Sequence, residues 1–408
     1  MRWRLLALFL VVAHAAAQMG ARGHTSGSMP ESPLPTRTQV TQAIALSASY
    51  LERACGPDGK FVYEIETHNG EQASSYNIVR HAGAIYALAM LNRSTPDRKA
   101  VDAMVRAATF MRQNYIAPGA HPGQLVVWSE PTAPHSEGEL GATGLGLVAL
   151  TEVRKVAPKS VPLEELQALG RFALFLQRDD GSCASKYNSE TGPEDWDSLY
   201  YPGETALGLI GLYETDHSRQ WLNAAAKALS YLARSRAKLS PVPPDHWALI
   251  AMAKLLPYCD KISCPVSREE LLEYANQVCN SIVHDQLRNP IAPMDGAFDA
   301  TGRTAAVATR MEGLLAALEF LPKNEFRAKV EAAAGRGIAF LLRTQVKSGP
   351  YAGGIPGAYL AGTPGTSEIR IDGVQHALSA WLRYQKMFEI RSDVRVLRRS
   401  PKDHMQQY

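Results

Sequence analysis

Acidic side chains stand at the start of several short apolar segments in this sequence. Glu204 follows a Tyr-Tyr-Pro-Gly segment, Asp245 follows two prolines, and Asp372 lies two residues after Arg370. Carboxyl groups that meet in a partly dry pocket separate their pKa values, because burial and like charge raise the pKa of one of them. A protonated carboxyl beside an ionised one can act as a general acid with a base or nucleophile. Asp245, Asp372 and Glu204 are therefore the candidate catalytic residues, and Glu139 is a further acidic candidate.

Basic and aromatic side chains lie in the same segments as these carboxyl groups. Aromatic rings offer apolar faces on which a ligand can stack. A guanidinium offers two parallel donors to a carboxylate or phosphate, and an imidazole can accept or donate a proton near neutral pH. The candidate ligand-binding residues are Arg80, His81, Tyr200, Tyr201, His246, Trp247, Arg303, Arg310, Arg370 and His376.

Each candidate also has a purely structural interpretation. Asp245 can cap the helix that follows it, and Asp372 can form an ion pair with a neighbouring arginine. Arg310 and Glu312 lie inside one apolar segment, where they can neutralise each other. The three histidines can be hydrogen-bonded core residues.

The candidate residues are carried by a repeated pattern of polar segment and apolar helix. Six such helices end at leucines roughly 60 residues apart, except for one shorter step, which is typical of repeat architectures. A more amphipathic helix is predicted before each of them. These predicted helices span residues 38–54, 97–114, 163–177, 219–235, 267–283 and 325–344. The alternation predicts an all-α fold, an (α/α)6 toroid of twelve helices in six hairpin repeats.

This layout resembles the (α/α)6 toroid superfamily. Its members include six-hairpin glycosidases, N-acylglucosamine 2-epimerase-like and uronyl C5-epimerase-like enzymes, and terpenoid cyclases. Residues 177–183 resemble the cyclase repeat Gln-x-x-Asp-Gly-x-Trp, with Cys183 in place of the Trp, but the Asp-x-Asp-Asp motif of the cyclases is absent from the sequence. The carbohydrate-active branch is therefore the better match.

The resemblance implies an enzyme that acts on a polysaccharide or oligosaccharide. The first hypothesis is a glycoside hydrolase, in which one carboxyl protonates the leaving oxygen and a second activates water or attacks. The second is a lyase or uronyl epimerase, in which a His or Tyr removes the proton beside a carboxylate that an arginine neutralises. The third is a non-catalytic toroid that binds a glycan or a protein. The arginines favour an anionic glycan.

Composition limits the other classes of ligand. The 408 residues include 43 basic and 40 acidic side chains, a net charge of +3, so we expect no nucleic-acid partner. The sequence shows no cofactor-binding motif, and its five cysteines lack the spacing of a zinc site. No cofactor and no metal are therefore expected.

The N-terminal segment indicates export. Residues 1–17 have the basic start, short apolar stretch and small final residues of a signal peptide. Residues 18–37 are predicted to be a disordered linker, 38–390 the toroid and 391–408 a C-terminal tail. No later run reaches the roughly 20 apolar residues of a membrane span, so we expect a periplasmic or secreted protein without stable membrane insertion.

One disulfide is predicted, because exported proteins can form them. Cys259 and Cys264 flank a short turn and are the expected pair, with Cys279 as a competing partner.

Overall fold

The structure is a computed structural model that describes residues 34–398, except residues 120, 133–135, 263–264, 266 and 289–292. Within this part of the chain there are twelve α-helices, which confirms the predicted (α/α)6 toroid. The predicted signal peptide and most of the predicted linker lie outside the described residues. Cys264 does so too, and its disulfide with Cys259 stays a prediction.

The six odd-numbered helices form the outer layer. They are amphipathic, and each buries one face on the inner layer, as a surface helix does. Their bounds are α1 (Arg37–Ala54), α3 (Arg98–Tyr115), α5 (Leu163–Leu176), α7 (Arg219–Arg236), α9 (Arg268–Asp285) and α11 (Glu325–Thr344).

The six even-numbered helices form a closed inner ring. Each packs on the next even-numbered helix, and α12 packs back on α2. Their bounds are α2 (Ile78–Ser94), α4 (Leu140–Val156), α6 (Tyr201–Asp216), α8 (His246–Leu255), α10 (Thr304–Ala317) and α12 (Ile371–Arg398). The inner helix α4 is buried from Leu140 to Val153, as expected for a helix that is apolar on every side.

Glycines set the spacing between α4 and α6. A Cβ atom on Gly144 would lie 2.7 Å from the backbone nitrogen of Thr205, and one on Gly208 would lie 2.5 Å from the carbonyl oxygen of Gly144. A larger residue at either position would push the two helices apart. The glycines in these apolar helices therefore allow close packing of α4 on α6.

Three small sheets lie in the loops between helices. Their strands are β1 (Glu64–Glu66), β2 (Ile116–Pro118), β3 (Leu125–Val127), β4 (Glu137–Glu139), β5 (Lys186–Asn188), β6 (Gly192–Pro193) and β7 (Glu368–Arg370). The sheets are β1–β7, β2–β3 and β4–β5–β6. The antiparallel pair β1–β7 joins the loop of the first helical hairpin to the loop of the last, so it helps to close the ring.

Two helix boundaries differ from the prediction. Arg80 and His81 were expected in a polar loop but lie in the first turn of α2, because the Asn77 side chain caps that helix upstream of them. Helix α12 continues to Arg398, so the boundary predicted at residue 390 falls inside it. In the described part of the chain, no helix is both long and apolar enough to cross a bilayer.

Candidate functional site

A cavity of about 470 Å³ opens where the inner helices begin, and all six of them contribute side chains to it. It brings together most of the residues that the sequence selected. Those on its lining are Arg80, Tyr200, Tyr201, Glu204, His246, Trp247, Arg303, Arg310, Asp372 and His376. Asp245, His81 and Arg370 do not line it.

Two histidines and a glutamate form a cluster at the wall of this cavity. Nδ1 of His376 lies 2.6 Å from Oε2 of Glu312, and the same oxygen lies 3.9 Å from Nε2 of His246. The two imidazole rings are nearly perpendicular, with centroids 5.5 Å apart. Both ring nitrogens of His246 are buried without a hydrogen-bond partner among the described residues. Their hydrogen-bonding capacity is therefore free for a ligand.

The two histidines have opposite pKa shifts. Burial lowers the pKa of His246 well below its ordinary value, and the nearby charges of His376 and Arg310 lower it further. Burial also acts against a charged His376, but the Glu312 carboxylate, through its charge and hydrogen bond, raises the pKa of His376 above its ordinary value. Near neutral pH His246 is a neutral base and His376 is the better proton donor.

The same three residues are the only described group whose ligand atoms could converge on a metal ion, since these atoms all lie within 4.8 Å of one another. The 2.6 Å contact between His376 and Glu312 has the length of a hydrogen bond. A metal would have to displace that proton and separate the two atoms. The geometry therefore fits a proton-sharing pair.

Glu204 is the more deeply buried of the two acidic residues that line the cavity. It is 4% exposed, and its Oε2 atom is buried without a partner in the described structure. Burial raises its pKa well above the ordinary value, and the negative charges of Asp245 and Glu139 add to this effect. These effects favour the protonated form of Glu204 over that of an ordinary carboxyl group. Glu139 accepts a hydrogen bond from the Tyr201 hydroxyl at 3.0 Å.

Asp372 lies on the cavity wall, but its carboxylate is fully engaged. Oδ1 accepts hydrogen bonds from Arg370 Nε at 2.7 Å and from the Gly373 backbone nitrogen at 2.9 Å. Oδ2 accepts from Arg370 Nη2 at 3.1 Å and contacts Arg80 Nε at 3.0 Å. A carboxylate has about four acceptor positions, and all four are used. This arrangement makes Asp372 an anchor for two arginines.

Asp245 lies behind the cavity wall. It is fully buried, caps α8 through the Ala248 backbone nitrogen at 3.0 Å, and contacts Arg236 Nη1 at 2.5 Å. The expectation that Asp245 meets Asp372 and Glu204 in one pocket is wrong, because a side chain that caps its own helix turns back toward the backbone.

His81 and Arg370 are also held elsewhere. Nδ1 of His81 bonds the Tyr76 hydroxyl at 2.7 Å, and Nε2 bonds the Ala107 carbonyl at 2.9 Å. Burial lowers the pKa of His81 to about 4, so it is a neutral core histidine. Arg370 binds Asp372 and lines a second cavity, of about 360 Å³, which shares Asp372 and Arg303 with the first.

Comparisons with known proteins agree with this architecture. No protein-family model and no curated protein matches the chain. Among solved structures it is similar to the cellobiose 2-epimerase of Bacillus thermoamylovorans, with 13% identity, a TM-score of 0.64, and coverage of 86% of this chain and 100% of that one. The fold is the same.

Two other solved structures show the same likeness. A D-mannose isomerase is 10% identical over 86% of this chain and 98% of its own, with a TM-score of 0.64. The α-mannanase of glycoside hydrolase family 76 from Bacteroides thetaiotaomicron is 14% identical over 87% and 97%, with a TM-score of 0.62. At these identities the comparisons establish the (α/α)6 toroid fold, and the activity has to be argued from the cavity.

Several lining residues were missed in the sequence. Asn77, Thr309 and Gln375 reach the cavity from α2, α10 and α12. Asn77 had a recognisable signal, since an Asn directly before an apolar run is a helix cap. Thr309 and Gln375 had none, because nothing in the sequence says which side of an all-apolar helix faces the ring centre.

Glu312 was recognised, but with the wrong partner. Its carboxylate binds His376 on α12, whereas Arg310 donates to the Ala306 carbonyl of its own helix at 2.9 Å. Residues two apart on a helix do not face each other. The predicted pairing of Arg310 with Glu312 is therefore wrong.

Proposed function

We propose that this protein is a sugar epimerase or isomerase that transfers a proton at the carbon beside a carbonyl group. The observation that carries the proposal is the pair His246 and His376, which both line the cavity and have oppositely shifted pKa values and ring centroids 5.5 Å apart. Two titratable groups whose environments separate their pKa values are the usual arrangement of an acid and a base.

In this reaction one imidazole ring accepts a proton from the sugar and the other donates a proton to it. Neutral His246 removes the proton from the carbon next to the carbonyl of the open-chain sugar, which leaves an enediolate and a cationic His246. Cationic His376 then returns a proton to the same carbon on its other face, which gives the epimer. The isomer forms instead when the hydroxyl proton on the C2 oxygen first moves to the C1 oxygen and His376 then protonates C1, which leaves the carbonyl at C2. Glu312 stabilises the charged form of His376, and the neutral Glu204 carboxyl can donate a hydrogen bond to the enediolate oxygen.

A two-carboxylate hydrolysis is less well supported by the same cavity. It needs an ionised carboxylate with a free oxygen for water or for the sugar. Asp372 has all its acceptor positions occupied, and Asp245 lies outside the lining. Glu204 remains as a good acid without an available partner. The structural neighbours include enzymes named as epimerases, an isomerase and a mannanase, so the fold accommodates either chemistry.

Two further parts of the proposal come from the sequence and from the superfamily. The substrate is a monosaccharide or short oligosaccharide with a free reducing end, because the carbonyl must be reachable. The protein acts after export, on account of the signal peptide predicted at its N-terminus.

Solvent exchange tests this function whichever sugar is formed as the product. The full-length mature protein is incubated in D₂O with a panel of reducing mono- and disaccharides, and deuterium at C2 is followed by NMR. We expect incorporation with the wild type, loss with His246→Asn and His376→Asn, and no change with His284→Asn, which replaces an exposed histidine that does not line the cavity. A chelator should leave the rate unchanged. Cleavage of glycosides without deuterium exchange would replace this proposal by a hydrolase.

A further inference from the structure

Arg310 forms no ion pair with any described residue, and the carboxylates of Asp285 and Asp299 act on its charge only from beyond ion-pair distance. Its Nη1 atom donates to the carbonyl oxygen of Ala306 at 2.9 Å, and its guanidinium lies 4.5 Å from the centre of the Phe298 ring. Its Nε atom is buried without a partner, and among the described residues no carboxylate lies within ion-pair distance of it. The side chain nevertheless lines the cavity.

The other arginines predicted for the site are all neutralised. Arg80 and Arg370 share Asp372, at 3.0 and 2.7 Å, and Arg303 binds Asp299 at 2.9 Å. Arg310 therefore differs from them in the described structure: it alone has no counter-ion. Its charge also reaches the proposed base, since it helps to lower the pKa of His246.

A cation in this position is costly to the free protein. Guanidinium groups taken out of water lose hydration, and the loss is normally offset by a carboxylate partner with matching hydrogen bonds. In agreement with this cost, burial lowers the pKa of Arg310 from its ordinary value. A bound anion would supply the missing partner.

We infer that Arg310 binds the carboxylate of a hexuronic acid, so that the substrate of this cavity is a uronate sugar. The inference rests on the proposed function, because it names the substrate class for the histidine pair. One guanidinium without a counter-ion matches the single negative charge of a carboxylate. A phosphate ester carries about 1.5 to 2 negative charges, which would exceed what Arg310 can neutralise beside three arginines that are already paired.

The cavity can hold both ends of such a molecule. Its volume of about 470 Å³ lies within the usual range for small-molecule sites. Arg310 and His246 both face this space from neighbouring helices, α10 and α8. The carboxylate would fix one end of the open-chain sugar while the carbonyl end meets the histidines, as expected where a remote group orients the reacting carbon.

Calorimetric titration at low salt tests the inference by binding alone. The probes are glucuronate, galacturonate and mannuronate, each paired with its neutral hexose, together with glucose 6-phosphate. We expect at least one uronate to bind about 10-fold or more tightly than its neutral hexose, the effect of one charge-assisted pair. Arg310→Gln should remove this preference. Arg310→Lys should retain part of it, because the positive charge remains but the two parallel donors of the guanidinium are lost.

Arg106→Gln is the matched control. Arg106 is also a half-buried arginine that donates to main-chain carbonyls, those of Gly56 and Cys55, and it does not line the cavity. This variant should keep the uronate preference. Equal binding of every uronate and its hexose, an unchanged preference in Arg310→Gln, or tighter Arg310-dependent binding of glucose 6-phosphate would each overturn the inference.

Stability supplies a second readout. Removal of a half-buried charge that has no ion-pair partner should leave the melting temperature of Arg310→Gln unchanged or higher, so a marked decrease would show that Arg310 is a structural residue. The inference and the proposed function can fail separately. Uronate binding through Arg310 without deuterium exchange refutes only the function, and exchange on neutral sugars with no uronate preference refutes only the inference.

Discussion

The Nδ1 atom of His376 lies 2.6 Å from Oε2 of Glu312, although the two residues are 64 positions apart in the chain and lie on neighbouring inner helices. Glu312 is fully buried, so its effect on the histidine is only weakly screened. This contact links the fold to the proposed chemistry, because it determines which of the two histidines carries the proton.

Replacement of Glu312 by Gln should shift the pH dependence of deuterium exchange. His376 must be protonated to act as the acid, so the rate falls as pH rises through its raised pKa. Without the Glu312 charge that pKa decreases, and the alkaline limb of the profile should move to lower pH, while the acidic limb set by His246 should change less. Glu325→Gln, on the exposed face of α11, is the control. An alkaline limb that stays in place would contradict the assignment of His376 as the acid.

His246→Asn should reduce the exchange rate by at least about 100-fold, the lower end of what a positioned acid or base contributes. Asn can still form hydrogen bonds but cannot accept the proton at neutral pH. The thermal midpoint should change little, because the ring nitrogens of His246 have no partner to lose in the described structure. Full activity in this variant, measured by NMR in D₂O, would exclude His246 as the base.

The sequence predicted the helices, and the turn of each inner helix that lies at the cavity, more accurately than the orientation of the side chains there. Apolar periodicity predicted α11 at residues 325–344, as observed, and placed α5 within one residue. Aligning the inner helices predicted which turn of each helix reaches the cavity. It could not predict the direction of a side chain, since successive residues on a helix point about 100° apart. Arg80 therefore faces the cavity while its neighbour His81 faces α3.

The contacts between helices could not be predicted from the sequence, for a different reason. His376 and Glu312 meet only because α10 and α12 are adjacent in the closed ring, and no local pattern encodes that distance. Asp372 looked like a catalytic acid because only one of its arginine partners, Arg370, is close in the chain, whereas the other, Arg80, lies on α2. Single residues could thus be selected by type and position, whereas their partners depended on ring closure.

Asp245→Asn should now lower stability. From the sequence alone we expect this variant to lose activity with little change in melting temperature. In the structure Asp245 is fully buried against Arg236, and removal of one charge from such a pair leaves the other uncompensated. The free energy of unfolding should decrease by roughly 3 kcal/mol. Asn retains the cap on α8, so the loss reports the ion pair.

Chemical denaturation measures this change. The exposed pair of Glu325 with Lys329 provides the comparison, and Glu325→Gln should have no measurable effect. A stable Asp245→Asn protein without activity would restore Asp245 as a catalytic residue.

Glu204→Gln should make the protein more stable at neutral pH than the wild type. Burial raises the pKa of Glu204 in the folded state above its value in the unfolded chain. Below the unfolded pKa, both states are protonated and Glu204 has no linkage effect. As pH rises above it, the unfolded chain releases the proton first, so wild-type stability decreases until the folded pKa is passed. Gln cannot ionise and avoids this loss.

Melting temperatures measured from about pH 4 to about pH 8 should therefore diverge as pH increases, with the Glu204→Gln variant having the higher values. Glu164→Gln, at an exposed position on α5, should follow the wild type throughout. Parallel curves for Glu204→Gln and wild type would show that Glu204 is ionised in the cavity, which would return it to the role of a base or nucleophile.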